Sequence, residues 1–328
     1  MNRFAQMVIV LISLSVSSMA QTGDGGYAGA FLRLGLGARA KSLGDAGTAL
    51  ARGGTAGFYN PAALPFLPHR QAVVSFAFLP LDRSLDVICY AQSLQPKAPE
   101  SADDEQPLRA GFALGWVHAG VDGIDGRDSA GRSIGSFSNS EHAFYLSFAL
   151  SPSPMLAIGL SGKVLYNRFP TIGQDDEAIT STGFGLDFGL YLTPMKNLSF
   201  GLVLRDQLSK YTWNTDKLWE RGTSTTYRFP RTLRAGLAYR PPLQWLLLVG
   251  ELEDSPEQNP RYHLGAEVEL AQVGALRLGL DDGAPAFGFG FDIELFGHRA
   301  GLNYAFIHTG VAPSADHIFS WTFDLDRR

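Results

Sequence analysis

The feature that most constrains this 328-residue chain is an alternation of apolar with small or polar residues, repeated in segment after segment. In residues 142–150, for example, large apolar side chains occupy every second position. A period of two places alternate side chains on opposite faces of a β-strand. Repeated segments of about 9–11 residues with this period are typical of membrane barrels. We therefore predict an all-β fold, an antiparallel transmembrane β-barrel of about fourteen strands.

A soluble β-sandwich also has alternating strands, but its outward face carries solvated residues such as Lys, Glu and Thr. Here the face opposite the apolar one is mainly Gly, Ala and Ser with isolated charges, and charged residues make up only 18% of the sequence. Such a face suits the crowded interior of a filled barrel. The hydrocarbon of a bilayer offers no hydrogen-bond partner for backbone N–H and C=O groups. The predicted sheet therefore has to close, so that every strand is paired on both sides.

The amino-terminal residues predict a secretory signal peptide, residues 1–20. Arg3 precedes an apolar run over residues 7–16, and residues 18–20 form a small-x-small cleavage sequence. The apolar run is too short to span the ~30 Å core of a bilayer comfortably. We therefore expect cleavage and export.

Residues 26–64 differ from the alternating segments that follow them. They are rich in Gly and other small residues, and they contain a helical candidate from Ala38 to about Ala51. We predict that residues 21–68 form a plug inside a barrel made by residues 69–328.

Two features of this segment carry specific expectations. Pro61 restricts the residue before it, and Asn60 is suited to cap the following turn with its side chain. Arg39, if enclosed in the bore, needs a carboxylate partner. We hypothesise that it pairs with one or two inward acids and locks the plug; the alternative is a water-exposed Arg39 at the periplasmic mouth. The plug residues that we single out are Gly37, Ala38, Arg39, Ala40, Gly44, Asp45, Asn60, Pro61 and Ala62.

Several charged side chains fall on the predicted inward faces of the strands. Two interpretations are open: the charges line a permeation path, or they form a structural network across the lumen. These residues are Arg109, Lys163, Asp187, Arg205, Arg234, Glu267, Arg277 and Asp292.

The loop lengths predict an orientation. If the first strand runs outward, most short turns fall on the periplasmic side and the long loops 119–140, 167–181 and 207–231 fall outside, as is usual in such barrels. Exposed aromatic residues on long loops favour binding of a ligand or partner, although the same residues can simply rest on the barrel rim. The candidates are Phe169, Tyr211, Trp213 and Trp219.

Two plug sequences resemble the amino-terminal region of the PorV/PorQ family, within the wider FadL-like group of outer-membrane barrels. They are A-G-A-F-L-R-L-G-L-G-A-R-A-K-S-L-G-D-A at residues 28–46 and F-Y-N-P-A-A-L at residues 58–64. The resemblance implies a fourteen-stranded, plugged barrel in the bacterial outer membrane. It further implies a binding and handover role in type IX protein secretion, with membrane lipid, secretion-system subunits and exported cargo proteins as partners.

Two other functions stay open from the sequence. The first alternative is a FadL-like channel for long-chain fatty acids or other small hydrophobic molecules, which would make a hydrophobic ligand the partner. The second is a structural barrel that transports nothing. A lateral opening or an apolar pocket in the bore would favour the channel, whereas a bore filled by the plug and charge pairs would favour handover.

The sequence carries no strong signature of catalysis. Its seven His residues lack metal-ligand spacing, and no G-x-S-x-G sequence occurs. The net charge of −5 gives no case for nucleic acid. The single cysteine, Cys89, excludes an internal disulfide and is expected to act as a small apolar residue. We predict no enzymatic activity, no metal and no cofactor.

Overall fold

The barrel predicted from the alternation is confirmed. The computed structural model describes residues 27–94, 108–170, 178–214, 216, 222–270, 273–295, 298–308 and 314–326. Within them, fourteen antiparallel strands close into one barrel and two more form a separate hairpin. The predicted signal peptide and Trp219 lie outside the described residues.

The barrel strands follow one another around the wall in chain order, except that the separate hairpin interrupts the sequence. They are β1 (Gln71–Leu79), β2 (Arg83–Leu94), β3 (Arg109–Arg127), β4 (Ser133–Ser153), β5 (Leu156–Phe169), β6 (Ile179–Met195), β7 (Leu198–Gln207), β10 (Thr232–Tyr239), β11 (Leu246–Ser255), β12 (Gln258–Leu270), β13 (Gly274–Asp281), β14 (Ala284–Leu295), β15 (His298–Ile307) and β16 (Asp316–Asp324). The hairpin consists of β8 (Lys210–Asn214) and β9 (Ser224–Arg228). β7 pairs with β10, and β1 pairs with β16 to close the wall.

The two faces of the wall differ as the alternation predicted. On β4, Phe144 and Leu146 are 53% and 63% exposed, while the neighbouring Tyr145 and Ser147 are buried. Large apolar side chains on the outside of a closed barrel form the band that contacts lipid.

The apolar band ends at a row of polar and aromatic side chains on β2–β5. Asp86, His118, His142 and Tyr166 are direct neighbours across these four strands. The His118 and His142 rings stack with centroids 4.7 Å apart, and His118 Nδ1 lies 3.1 Å from the Asp86 carboxylate. Polar groups are costly in hydrocarbon, so this row marks the outer limit of lipid contact on this wall.

The prediction of a long outer loop at 119–140 was wrong. Both strands continue past the polar row, and only a short turn joins them. Asp128 closes this turn, because its Oδ1 accepts hydrogen bonds from the backbone N–H groups of Ala130 and Arg132, each at 2.9 Å. β3 and β4 therefore form a ribbon that stands beyond the membrane.

The plug, residues 27–70, fills the bore. Its described part starts near the outer end, where the Tyr27 hydroxyl donates to the Glu257 carbonyl between β11 and β12. It contains only short helices, and none of the helices in the described residues is long and apolar enough to span a membrane. These are two 3₁₀ turns, Ala30–Arg33 and Pro61–Phe66, and two α-helices, α1 (Ala38–Ser42) and α2 (Ala56–Tyr59).

The helix predicted from Ala38 to about Ala51 was too long, since α1 ends at Ser42. Gly44 and Asp45 both adopt left-handed backbone angles, with φ of 70° and 68°. A Cβ on Gly44 would collide with the carbonyl oxygens of Leu264 and Leu280 on the wall. Gly permits both the left-handed turn and the close approach, and Asx residues tolerate this region better than most.

Wall glycines allow the plug backbone to lie directly against the sheet. Gly201, Gly265 and Gly279 face the plug, and a Cβ on any of them would collide with backbone atoms of Leu43, Gly44 or Thr48. The small inward face predicted from the sequence is thus the surface on which the plug packs.

The position of the membrane can be tested with two arginine substitutions on one strand. Leu146→Arg, in the apolar band of β4, should lower the free energy of unfolding by about 2–4 kcal/mol. Ile134→Arg, on the part of β4 beyond the polar row, should change it by less than about 0.5 kcal/mol. Urea unfolding in lipid vesicles measures both, and equal losses would contradict the proposed membrane level.

Candidate functional site

The centre of the bore is a network of buried ionic contacts between the plug and the wall. Arg234 on β10 lies with its Nη2 2.9 Å from Asp45 Oδ2 of the plug. Its Nε is 2.8 Å from Glu251 and 2.7 Å from Glu253, both on β11. Tyr59 of α2 donates to the other Asp45 oxygen at 2.6 Å. One guanidinium therefore joins the plug to two adjacent strands.

A second set of contacts extends this network to β12 and β13. Lys41 of α1 lies 2.8 Å from Asp281, and His263 Nδ1 lies 2.9 Å from the Gly44 carbonyl. Burial alone would raise the pKa of the Asp45 carboxyl, but the charges of Lys41 and Arg234 outweigh burial and hold that pKa below its usual range. The plug thus carries an ionised acid into the interior of the barrel.

Arg39 has the carboxylate partner that the sequence hypothesis required. Its Nε and Nη2 donate to the two oxygens of Glu267 at 2.8 and 2.7 Å, a bidentate geometry. Arg277 on β13 donates to the same carboxylate at 2.6 Å and to Asn303 at 2.9 Å. The Arg39 side chain is 23% exposed. It is therefore neither fully enclosed in the bore nor fully exposed to water, the two alternatives that the sequence left open.

A third ionic group lies where β6 and β7 meet. Lys163 Nζ is 2.8 Å from Asp187 and 2.5 Å from Asp206, and all three side chains are buried. Arg205 Nη2 donates to the carbonyl oxygens of Phe58 and Tyr59 in α2, at 3.0 and 3.1 Å.

Two predicted lumen charges take less part in these contacts. Asp292 pairs with Arg299 at 2.5 Å near the periplasmic end, and Arg109 is half-buried with no ion pair to any described residue. The other six contact the plug or one another. This arrangement supports the interpretation of a structural network rather than a lined path.

The remaining plug residues position this network. Asn60 caps the turn after it as predicted, because its Oδ1 accepts from the Ala62 N–H at 2.9 Å. Its Nδ2 donates to the carbonyls of Thr48 and Leu190, both at 3.0 Å, and Pro61 begins the 3₁₀ turn. Gly37, Ala38 and Ala40 form the start of α1 beside the wall.

Tyr211 was wrongly predicted as an exposed loop residue, since it is only 1% exposed. The β8–β9 hairpin folds back over the plug, and the Tyr211 ring packs on Phe229 with centroids 5.0 Å apart. A Cβ on Gly29 of the plug would collide with the Phe229 ring. The other two described candidates lie at the rim. Phe169 is exposed, and the Trp213 ring contacts the Phe169 ring edge to face.

The wall is interrupted where this hairpin begins. β6 and β7 pair up to Leu186 and Gln207, with a register shift opposite Asp187. The chain then turns inward at Asp206 and Leu208, whose φ angles are 58° and 67°. Above Leu186, this edge of β6 pairs with no barrel strand among the described residues, and β8 lies against its inner face.

The periplasmic end of the bore holds a polar cavity of about 330 Å³. The loop between α1 and α2 forms one side, and β12–β16 form the other. Its lining includes eight charged side chains: Arg39, Arg52, Glu267, Glu269, Arg277, Asp292, Arg299 and Asp324.

Sequence reasoning missed several members of the ionic groups, namely Lys41, Asp206, Glu251, Glu253 and His263. Glu251 and Glu253 lie in an almost wholly apolar strand, so their facing was ambiguous, although their spacing of two does place them on one face. Asp206 directly precedes the predicted loop 207–231 and was not singled out. Its inward position depends on the register shift, which leaves no sequence signal.

No protein-family model and no curated protein matches this sequence. Solved structures do match it. The P. putida toluene transporter TodX has a TM-score of 0.58 at 13% identity over 90% of this chain and 99% of that one. A Pseudomonas aeruginosa FadL homologue gives 0.53 at 12% identity over 86% and 96%. The CymD monoaromatic hydrocarbon channel gives 0.51 at 12% identity over 88% and 96%.

At these identities the likeness shows the fold. The chain is a fourteen-stranded β-barrel of the bacterial outer membrane, with the fold of the FadL-like hydrocarbon channels. TodX is named as a transporter and CymD as a channel, which is consistent with the prediction that this protein is not an enzyme. None of the three is named as a secretion component, and the PorV/PorQ resemblance and its type IX role stay predictions.

Removal of the central guanidinium tests the plug–wall network. Arg234→Met leaves three buried carboxylates without their partner, and it should cost about 3–5 kcal/mol of unfolding free energy. Arg132→Met, which removes an exposed pair with Asp128, should cost less than about 1 kcal/mol. Urea unfolding in nanodiscs compares them; a small loss for Arg234→Met would show that the network does not hold the plug.

Proposed function

We propose that this protein is a FadL-like outer-membrane channel for small hydrophobic molecules, closed in the described state by its plug. The observation that carries the proposal is the interrupted wall between β6 and β7. Elsewhere in the described wall, neighbouring strands stay paired apart from local register shifts, but here the chain leaves the wall and folds into the lumen. Once the hairpin moves away from β6, an interruption at this level would connect the outer part of the apolar band with the interior.

The interior near this level includes a large apolar cluster, which suits such a ligand. The plug and wall contribute one contiguous buried cluster beneath the hairpin. Its members include Phe31, Leu36, Phe58, Tyr145, Leu165, Tyr211 and Phe229. A hydrophobic molecule that enters beside β6 would therefore pass the buried Lys163–Asp187–Asp206 group at the junction of β6 and β7 and then meet this apolar and aromatic cluster.

The hairpin is the element that has to move for such entry. Phe229 and Tyr211 attach it to the plug from above, while every residue of β9 is exposed. The plug itself is held by buried ion pairs on several strands. Displacement of the hairpin therefore breaks fewer contacts than displacement of the plug.

A second candidate function is binding and handover in type IX secretion. The filled bore, the charge pairs that fix the plug and the exposed Phe169 on the outer rim favour it, as do the two plug sequences. Its partners would be secretion-system subunits and exported cargo proteins. Purification from native outer membranes distinguishes the two: co-purified exported proteins with a shared carboxy-terminal domain support handover, and a stoichiometric hydrophobic ligand without protein supports the channel.

Uptake of toluene tests the channel directly. Reconstituted vesicles containing the wild-type protein should take up labelled toluene faster than empty vesicles at the same lipid content. Phe229→Ala removes the ring that packs between hairpin and plug, so it should raise the rate several-fold. The rate constant of uptake is the quantity to compare.

The matched control is Tyr227→Ala in the same hairpin, where the side chain is 53% exposed. This substitution should leave the rate constant of toluene uptake unchanged, because the exposed Tyr227 side chain does not close the entry. A channel would be contradicted if vesicles with the wild-type protein and vesicles with either variant all took up toluene no faster than empty vesicles. Handover would then be the better proposal.

A further inference from the structure

We propose that the periplasmic cavity is a binding site for a small organic anion, a carboxylate in the first instance. The proposal concerns the end of the bore opposite the hairpin, and it holds whether or not hydrophobic molecules cross the barrel. It is carried by the charge and bonding of the side chains that line the cavity.

Three guanidinium groups and two carboxylates form the inner wall of the cavity. Arg39 and Arg277 share Glu267, and Arg299 pairs with Asp292. A Cβ on Gly301 would lie 3.0 Å from Asp292 and 3.7 Å from Asn303, which places both pairs side by side. These five side chains alone carry one net positive charge, which a bound monoanion would balance. Over all eight charged residues that line the cavity, four arginines and four acids, the net charge is zero.

The arginines also have donor groups left over. The two oxygens of Glu267 already accept three N–H groups. Arg39 Nη1 and Arg277 Nη2 form no hydrogen bond to any described residue, and both arginines line the cavity. Guanidinium donors in pairs match the two oxygens of a carboxylate.

Further charged residues at the rim of the cavity either pair with one another or reduce the positive charge of the inner wall. Arg52 pairs with Glu269, which Arg240 also contacts at 3.0 Å. Asp324 accepts from Gln71 at 2.6 Å and is the acid at the mouth. The inner wall thus favours an anion, while Asp324 weakens the attraction from the entrance.

Benzoate is a suitable probe, with benzyl alcohol as its neutral match. Equilibrium dialysis against protein in nanodiscs should show saturable binding of benzoate and none of benzyl alcohol. Binding should weaken as salt is raised, because the attraction is partly screened. Equal binding of the two probes would overturn the proposal, and so would the absence of benzoate binding.

Single charge changes locate the site. Asn303→Asp keeps an oxygen acceptor for Arg277 but cancels the excess charge, so the Kd for benzoate should rise at least about tenfold. Asp324→Asn removes the rim acid and should lower the Kd for benzoate. Asn197→Asp adds the same charge as Asn303→Asp on an exposed turn outside the cavity and should leave the Kd unchanged.

The two cavity variants act in opposite directions, so a folding defect in one does not remove the test. Wild-type affinity in correctly folded Asn303→Asp protein would overturn the proposal. If Asn303→Asp protein does not fold, an unchanged benzoate affinity of Asp324→Asn protein would overturn the proposal. Removal of the acid at the entrance should strengthen the binding of an anion to a positively charged site.

Discussion

Ionic contacts with the wall hold together a plug that has little structure of its own. Its two α-helices comprise five and four residues. Arg234 binds Asp45, Glu251 accepts from the Thr48 N–H, and Glu267 binds Arg39. These partners are buried, so each contact acts where water competes little and an unpaired group is costly. The plug keeps its conformation because the barrel around it supplies the partners.

This dependence limits how the bore can open. Withdrawal of the plug would separate buried charges on at least three strands at once, whereas the hairpin is attached through the Tyr211 and Phe229 rings and two hydrogen bonds between Ser181 and Thr212. A local rearrangement beside β6 is therefore less costly than expulsion of the plug. The bore thus has two different ends: an aromatic seal on the outside and an open, charged cavity on the periplasmic side.

The barrel was predictable because most of its strands repeat one signal, a period of two with large apolar residues on one face. The Asn60 cap and the Arg39–carboxylate pair were also accessible, because each follows from the needs of a single side chain. The end of α1, the inward hairpin and the burial of Tyr211 were not. They depend on where the plug backbone meets the wall, and such long-range contacts leave no local pattern.

The close packing of plug and wall glycines has an evolutionary consequence. Gly44 and Gly279 lie against one another, although 235 residues, the difference between their numbers, separate them in the chain. Neither position has room for a methyl group, so a substitution at one site is not relieved by a change at the other. Homologous barrels that keep this plug should retain both glycines together, and those that have lost one should show a rearranged plug.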